Sequence, residues 1–181
     1  GVDLVGKRVI HTTADFSFAD TLLFSEGVVE TGKEAIRQGA CIVTDTNMAL
    51  AGINKRALDF CKATAVCFMA APEVAREARE RGVTRALVSM ERASRLAGPI
   101  IIAVGNAPTA LMGLYDMIRS GIFIPDLVIG VPVGFVNVVA SKERIMASGV
   151  SYIVNEGRKG GSNVAAAIVN SLLYQVEGSR A

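Results

Sequence analysis

Five short, continuous apolar runs recur along the chain and are the main guide to its fold. Each is five or six residues long and does not alternate with polar residues, which is typical of strands buried on both faces of a sheet. The runs span residues 41–45, 64–69, 100–104, 127–131 and 151–155. We therefore expect five strands in the interior of the protein.

Helical patterns separate these runs, and the alternation predicts an α/β fold. The patterns span residues 27–39, 72–82, 84–98, 108–120, 138–149 and 162–175. Strand–helix alternation of this kind predicts a three-layer, doubly wound parallel sheet with the flavodoxin-like strand order 2-1-3-4-5. The first forty residues lie outside the alternation, and we expect residues 6–15 to be an N-terminal extended segment. The length predicts one domain over residues 1–181.

Composition and charge narrow the function classes. The chain is 51% hydrophobic, and its formal net charge is only +2, with basic residues dispersed among acidic ones, so we expect no nucleic-acid partner. Residues 96–115 carry no charge, but Pro, Gly and Asn interrupt them, so we expect no membrane span. Cys41, Cys61 and Cys67 show no metal-binding spacing, and we expect reduced thiols, no metal and a cytoplasmic protein.

Candidate binding residues follow the predicted strands. In a doubly wound sheet, ligands bind outside the carboxyl ends of the strands. Asp45 follows the first strand, and loops rich in Gly, Pro and small polar residues follow three others, at residues 105–109, 131–137 and 156–163. We expect these segments to meet at one edge of the sheet.

Two of these loops precede helices and have the features of anion sites. Gly160, Gly161 and Ser162 precede one helix, and free backbone N–H groups at a helix start favour a carboxylate or phosphate. Arg158 and Lys159 add positive charge beside them, and residues 105–108 form a similar start. The alternative interpretation is that both loops are simply well-formed helix starts.

Arg85 is a further candidate because it sits at an unfavourable place for a cation. Thr84 is a good N-cap, and the helix that it begins must run back from the ligand side of the sheet. A cation in the first turn opposes the helix dipole, so Arg85 is either a ligand-binding residue or a side chain that simply reaches into solvent.

His11 is the only histidine in the sequence. Histidine is the side chain whose ordinary pKa allows proton transfer near neutral pH. A lone histidine on an apolar segment is also commonly structural, so both roles stay open on this ground.

Four motifs together resemble one enzyme family. They are residues 8–16 (RVIHTTADF), 105–111 (GNAPTAL), 130–136 (GVPVGFV) with Ser141 and Lys142, and 157–163 (GRKGGSN). In this order and spacing they resemble precorrin-8X methylmutase, including its cobalt-precorrin-8 counterpart. The resemblance runs from about residue 8 to residue 173. Two features depart from the family pattern: only ten residues precede His11, where the family usually has more, and Ala140 stands where the family often has Glu.

The resemblance implies an isomerase of cobalamin biosynthesis that moves a methyl group between adjacent ring carbons of a tetrapyrrole. It implies that His11 is the general acid, which protonates a ring nitrogen, and that no cofactor is needed. Acid–base help of this kind contributes about a hundred- to ten-thousand-fold. It also implies a homodimer with the pocket near the interface. The substrate-binding residues that we predict are Arg8, Asp45, Arg85, Gly105, Asn106, Ala107, Thr109, Lys142, Arg158, Lys159, Gly160, Gly161 and Ser162.

Two other function classes compete with this reading. One is a non-catalytic tetrapyrrole-binding or carrier protein on the same fold, which turnover would distinguish from an enzyme. The other is a flavodoxin-like nucleotide binder, although the sequence has no matching phosphate fingerprint and no Trp.

Overall fold

The part of the chain that the structure describes, residues 1–179, is built on a six-stranded sheet in which one strand runs opposite to its neighbour. The structure is a computed structural model, and the last two residues of the predicted domain, 180 and 181, lie outside the described residues. The strands are β1 (Leu22–Phe24), β2 (Cys41–Thr44), β3 (Thr64–Cys67), β4 (Ile100–Val104), β5 (Leu127–Gly130) and β6 (Tyr152–Asn155). Their order across the sheet is β1-β6-β5-β4-β2-β3.

The sheet is mixed, so the prediction of a purely parallel sheet is wrong. Strands β2 to β6 coincide with the five predicted runs and pair in parallel, in the order β3-β2-β4-β5-β6. Strand β1 adds to the free side of β6 and is antiparallel to it. At three residues, β1 is too short to produce a recognisable hydrophobic period in the sequence.

Helices cover both faces of the sheet, as the α/β prediction requires. Within residues 1–179 they are α1 (Val2–Thr13), α2 (Phe18–Thr21), α3 (Val28–Arg37), α4 (Asn47–Gly52), α5 (Lys55–Cys61), α6 (Pro72–Arg81), α7 (Arg85–Ala93), α8 (Pro108–Ser120), α9 (Val138–Ala147) and α10 (Ser162–Gly178). Thr46, Asn54 and Thr84 cap three of them by accepting a backbone N–H at their side-chain oxygens. The N-cap prediction for Thr84 is therefore confirmed.

The N-terminal segment is a helix, so the predicted extended conformation of residues 6–15 is wrong. Val5 and Val9 lie four residues apart, which places both on the same face of α1, and both are fully buried where α1 packs on α10. Ala14 ends the helix in the left-handed conformation, with φ of 56°, and its N–H donates to the carbonyl of Ile10.

Alternate residues of the strands face two separate hydrophobic cores. In β4, the side chains of Ile101 and Ala103 belong to the core on one face of the sheet, which α1, α3, α5 and α10 cover. The side chains of Ile102 and Val104 belong to the core on the other face, which α7, α8 and α9 cover. This follows from the two-residue period of a strand, and it explains why the runs are apolar throughout.

Candidate active site at the carboxyl edge of the sheet

The loops that follow β2, β4, β5 and β6 meet at one edge of the sheet, as the sequence predicts. The hydroxyl groups of Thr46 and Ser162 are 2.7 Å apart and join the loop after β2 to the start of α10. The N–H of Gly161 donates to the carbonyl of Val131 at 2.9 Å, which joins the loops after β5 and β6. We call this region the carboxyl edge.

Two glycines allow the loops to approach this closely. A Cβ atom added to Gly105 would lie 2.7 Å from the Cα of Ser162, and one added to Gly160 would lie 2.0 Å from the carbonyl oxygen of Val131. Because these neighbours are backbone atoms, they cannot rotate away as a side chain would. Gly105 of the GNAPTAL motif and Gly160 of the GRKGGSN motif are therefore required by packing between loops.

The loop after β4 is held by the carboxylate of Asp45. Its two oxygens accept hydrogen bonds from the N–H groups of Gly105, Asn106 and Ala107, at 2.8, 2.9 and 2.7 Å. Asp45 is only 1% exposed, and this burial raises the pKa of its carboxyl group, although the three N–H donors oppose the rise. These N–H groups, which we predicted to receive a ligand anion, are thus occupied by a side chain of the protein.

The loop after β6 is held from inside by Lys142. The Nζ atom donates to the carbonyl oxygens of Gly157 and Lys159, at 2.7 and 3.0 Å. The side chain lies on α9 and is 1% exposed, and desolvation lowers its pKa to about 8. The structure therefore places the ammonium group of Lys142, predicted to bind substrate, beneath the loop rather than on its surface.

The antiparallel strand β1 brings the end of α1 to the same edge. Since Leu22 pairs with Asn155 at the end of β6, the residues just before Leu22 lie beside the loop after β6. Lys159 forms an ion pair with Asp15 at 2.8 Å. The hydrogen bonds from Lys159 and Ser17 lower the pKa of Asp15 to about 2.

His11 lies in the last turn of α1 and is exposed. It lines an open, largely apolar depression of about 510 Å³ with Lys7, Ile10, Ala14 and Phe16. Within residues 1–179, no hydrogen bond to its imidazole ring is found. The ring is therefore accessible to a ligand that enters the depression.

The other predicted cations lie at different places around the site. The Arg158 guanidinium lies 5.6 Å from the centre of the Phe135 ring, and that of Arg8 lies 4.9 Å from the centre of the Tyr174 ring, beside α10. Arg85 is exposed at the start of α7, where Thr84 contacts Thr109 at 3.5 Å. The structure thus brings Arg85 to the carboxyl edge, as predicted, whereas the head group of Arg8 lies over the ring of Tyr174 on α10.

Three residues that help to build the site were not among those predicted: Asp15, Thr46 and Phe135. Tyr174, the ring partner of Arg8 on α10, was not predicted either. Asp15 had a local signal, because an Asp two residues before a Ser is typical of a turn in which the carboxylate accepts the Ser N–H. The contacts of Thr46 and Tyr174 join segments more than one hundred residues apart, and no local pattern indicates such contacts.

The described part of the chain shows neither a metal-binding cluster nor a membrane-spanning helix. Among residues 1–179, no group of three or more His, Cys, Asp or Glu side chains is arranged to hold a metal ion. No helix of this part of the chain is long and apolar enough to cross a membrane.

The fold and the carboxyl edge define the class: an α/β protein with a wound, mixed sheet, whose ligand-side loops meet beside a single exposed histidine. The family model for precorrin-8X methylmutase matches residues 2–175. The chain is 45% identical over 173 residues to the cobalt-precorrin-8 methylmutase of Salmonella typhimurium, covering 94% of this chain and 80% of that protein. The chain therefore belongs to the precorrin-8X methylmutase family, which confirms the resemblance seen in its motifs.

Further relatives include both names used in the family. The precorrin-8X methylmutase of Pseudomonas aeruginosa is 38% identical over 179 residues, which is 97% of this chain and 85% of that protein. A crystal structure of precorrin-8X methylmutase from Thermus thermophilus superimposes with a TM-score of 0.89 at 40% identity, covering 97% of this chain and 86% of that one. These relatives are methylmutases by name, which are isomerases, and the Thermus thermophilus structure shares the α/β fold of this chain.

Proposed function

We propose that this protein is a cobalamin-biosynthesis isomerase that moves a methyl group between adjacent ring carbons of precorrin-8X or cobalt-precorrin-8. The bond from the methyl group to one ring carbon breaks as a bond to the neighbouring carbon forms. Substrate and product are isomers, so the reaction consumes neither an oxidant nor a methyl donor. The product is hydrogenobyrinate or its cobalt form, cobyrinate.

His11 is the general acid of this proposal, and its position in the depression is the observation that supports the assignment. The ring is exposed beside Ile10, Ala14 and Phe16, whose apolar atoms suit the face of a macrocycle. An imidazolium at this place donates a proton to a ring nitrogen, which favours the tautomer formed after migration. One proton leaves the macrocycle in the same reaction, so substrate and product remain isomers. Because the sequence has no second histidine, no other imidazole of the chain can take over.

Cations around the carboxyl edge bind the acetate and propionate carboxylates at the rim of the macrocycle. Arg85, Arg158 and Lys159 are exposed there and supply separate positive charges. Asn106 and Thr109 are exposed on the neighbouring loop and supply polar side chains. Asp45 and Lys142 hold the loops, and Arg8 lies farther out along α1.

We further propose that the whole chain is one methylmutase domain that works as a cytoplasmic homodimer, with the pocket near the interface. Large apolar side chains remain exposed at the carboxyl edge, including Phe16, Met48, Phe135 and Val136. A single chain leaves the depression at His11 open on one side, so a second copy would complete its wall.

Replacement of His11 tests the catalytic role. We expect His11→Ala to lower kcat on precorrin-8X or cobalt-precorrin-8 about a hundredfold or more, with the dissociation constant of the product changed much less. The assay is the absorption spectrum of the product chromophore, with each substrate form offered separately. Thr12→Ala is the matched control, because Thr12 is exposed on the same helix turn and does not line the depression.

Two outcomes would contradict the proposal at different levels. Unchanged turnover by the His11→Ala variant would remove His11 from the mechanism while leaving the isomerase activity in place. Tight corrinoid binding by the wild-type protein with no turnover of either substrate form would indicate a carrier protein instead.

A further inference from the structure

Lys142 is a buried cation whose hydrogen bonds go to one loop. It is among the largest fully buried side chains of the described residues. A buried ammonium group is usually paired with a carboxylate. Here, within residues 1–179, no ion pair of Lys142 is found, and its Nζ atom donates to the carbonyl oxygens of Gly157 and Lys159. The ammonium group of Lys142 therefore binds only the backbone of the loop after β6, within the described residues.

These two hydrogen bonds set the direction of the neighbouring N–H groups. A trans peptide is planar, with its carbonyl and its N–H on opposite sides, and the described chain has no cis peptide. With the Gly157 and Lys159 carbonyls turned inward to Lys142, the N–H groups of Arg158 and Gly160 turn outward. Within residues 1–179, neither N–H donates a hydrogen bond to another group of the protein.

Other contacts hold the same loop in place around these N–H groups. The Arg158 carbonyl accepts the N–H of Gly134 at 3.1 Å, and the Lys159 carbonyl also accepts from the side-chain amide of Asn155 at 3.0 Å. Three carbonyl groups of the loop are thus fixed in direction, which also fixes the peptide planes that carry the N–H groups of Arg158 and Gly160. The N–H groups of Gly157 and Lys159 likewise donate to no group within residues 1–179, but Lys142 does not hold their peptides.

A lysine at this position carries a cost to stability. Desolvation of the ammonium group lowers its pKa to about 8, so the fold bears the cost of burying a charge. Replacing a whole buried ion pair by apolar side chains is often neutral or stabilising, but the partners of Lys142 are backbone carbonyls that no substitution removes. A methionine would fill this space without a buried charge, but it would leave the Gly157 and Lys159 carbonyls without this donor and could not orient the loop.

We propose that Lys142 is a positioning residue for the methyl shift: by binding two loop carbonyls from inside, it presents the N–H groups of Arg158 and Gly160 to a carboxylate at the rim of the macrocycle. This inference rests on the proposed function of the carboxyl edge. The exposed guanidinium of Arg158 supplies charge beside the two N–H groups, so that one carboxylate meets both kinds of donor.

Lys142→Met tests the inference, because methionine retains the length of the side chain and removes its donors. We expect KM for the substrate to rise about tenfold to a hundredfold while kcat stays within about twofold, since binding is lost equally in the ground state and transition state. Circular dichroism and thermal melting verify that the variant is folded. Lys55→Met is the matched control, because Lys55 is exposed on α5, and its KM should equal that of the wild type.

A second measurement uses the wild-type protein and does not depend on the folding of the variant. When the corrinoid product is added, the amide ¹⁵N–¹H resonances of Arg158 and Gly160 should shift downfield, whereas the amide of Val164, already bonded to Asn163, should move much less. A folded Lys142→Met variant with the wild-type KM, or unshifted Arg158 and Gly160 amides, would overturn the inference. If the wild-type protein turned over neither substrate form, the proposed function itself would be overturned.

Discussion

At the residue scale, Lys142 combines a function in the loop with a cost to stability. Burial of the ammonium group disfavours the charged form, while its two carbonyl partners favour it. The sequence placed Lys142 in a family motif, yet no local pattern distinguishes an exposed lysine from a buried one on an amphipathic helix. Burial of this side chain is decided by the loop that folds over α9.

This balance predicts how stability depends on pH. The pKa of Lys142 is about 8 in the folded protein and 10.5 in the unfolded chain, so the unfolded state binds more protons between these values. The free energy of unfolding contributed by Lys142 should therefore rise between pH 8 and 10.5, by about 3 kcal/mol over the whole interval, and be lost again as pH falls to 8.

Urea denaturation of the wild type and of Lys142→Met at pH 7.5, 8.5 and 9.5 checks this expectation. Other groups titrate in both proteins, so the informative quantity is the difference in unfolding free energy between the two. The unfolding free energy of the wild type should increase relative to that of the variant as pH rises. A difference that is constant across this range would show that the buried amine does not titrate as described.

At the element scale, strand β2 organises the start of helix α8. Asp45 directly follows β2, and its carboxylate accepts the three N–H groups that precede α8. The sequence predicted both the strand and the helix, and it predicted that the two ends would be neighbours. It did not predict that Asp45 would fill the anion-binding turn, because this contact joins residues 60 or more positions apart.

Asp45→Asn is expected to loosen this connection. A carboxamide offers one acceptor oxygen and places an NH₂ group against at least one of the three N–H donors. We expect the free energy of unfolding to fall by about 1–3 kcal/mol, since a buried donor is left unpaired, and kcat/KM to fall because the loop shifts.

Asp126→Asn is the matched control for this change. Within residues 1–179, the Asp126 carboxylate accepts one hydrogen bond, from the N–H of Ile100 at 3.0 Å, and an amide oxygen can replace the carboxylate there. Its unfolding free energy should stay within about 0.5 kcal/mol of the wild type. Equal effects of the two substitutions in chemical denaturation would argue against the special role of Asp45.

At the scale of the whole molecule, exposed apolar side chains lie at both edges of the sheet. Phe135 is 81% exposed at the carboxyl edge, beside Arg158, and Ile122 is 71% exposed in the connection between α8 and β5, at the opposite edge. The proposed dimer uses the carboxyl edge, because that is where a second copy would close the depression at His11.

Sedimentation equilibrium tests this arrangement. The wild type should have twice the 19.0 kDa mass of one chain at micromolar concentration. Phe135→Ser should weaken association and raise KM, whereas Ile122→Ser removes a comparable apolar side chain from the other edge and should leave both unchanged. A monomeric wild type with full activity would refute the proposed dimer, and dissociation by Ile122→Ser alone would place the interface elsewhere.

The sequence by itself determined the five parallel strands, six of the helices and the order of the family motifs, because these depend on local hydrophobic period and on short runs of residues. Only the tertiary structure decided that residues 6–15 are helical, that β1 runs antiparallel, and that Asp45 and Lys142 hold the loops on either side of the site. These features arise from contacts between residues far apart in the chain. A local sequence pattern does not indicate which distant residues will meet or how much free energy their contact contributes.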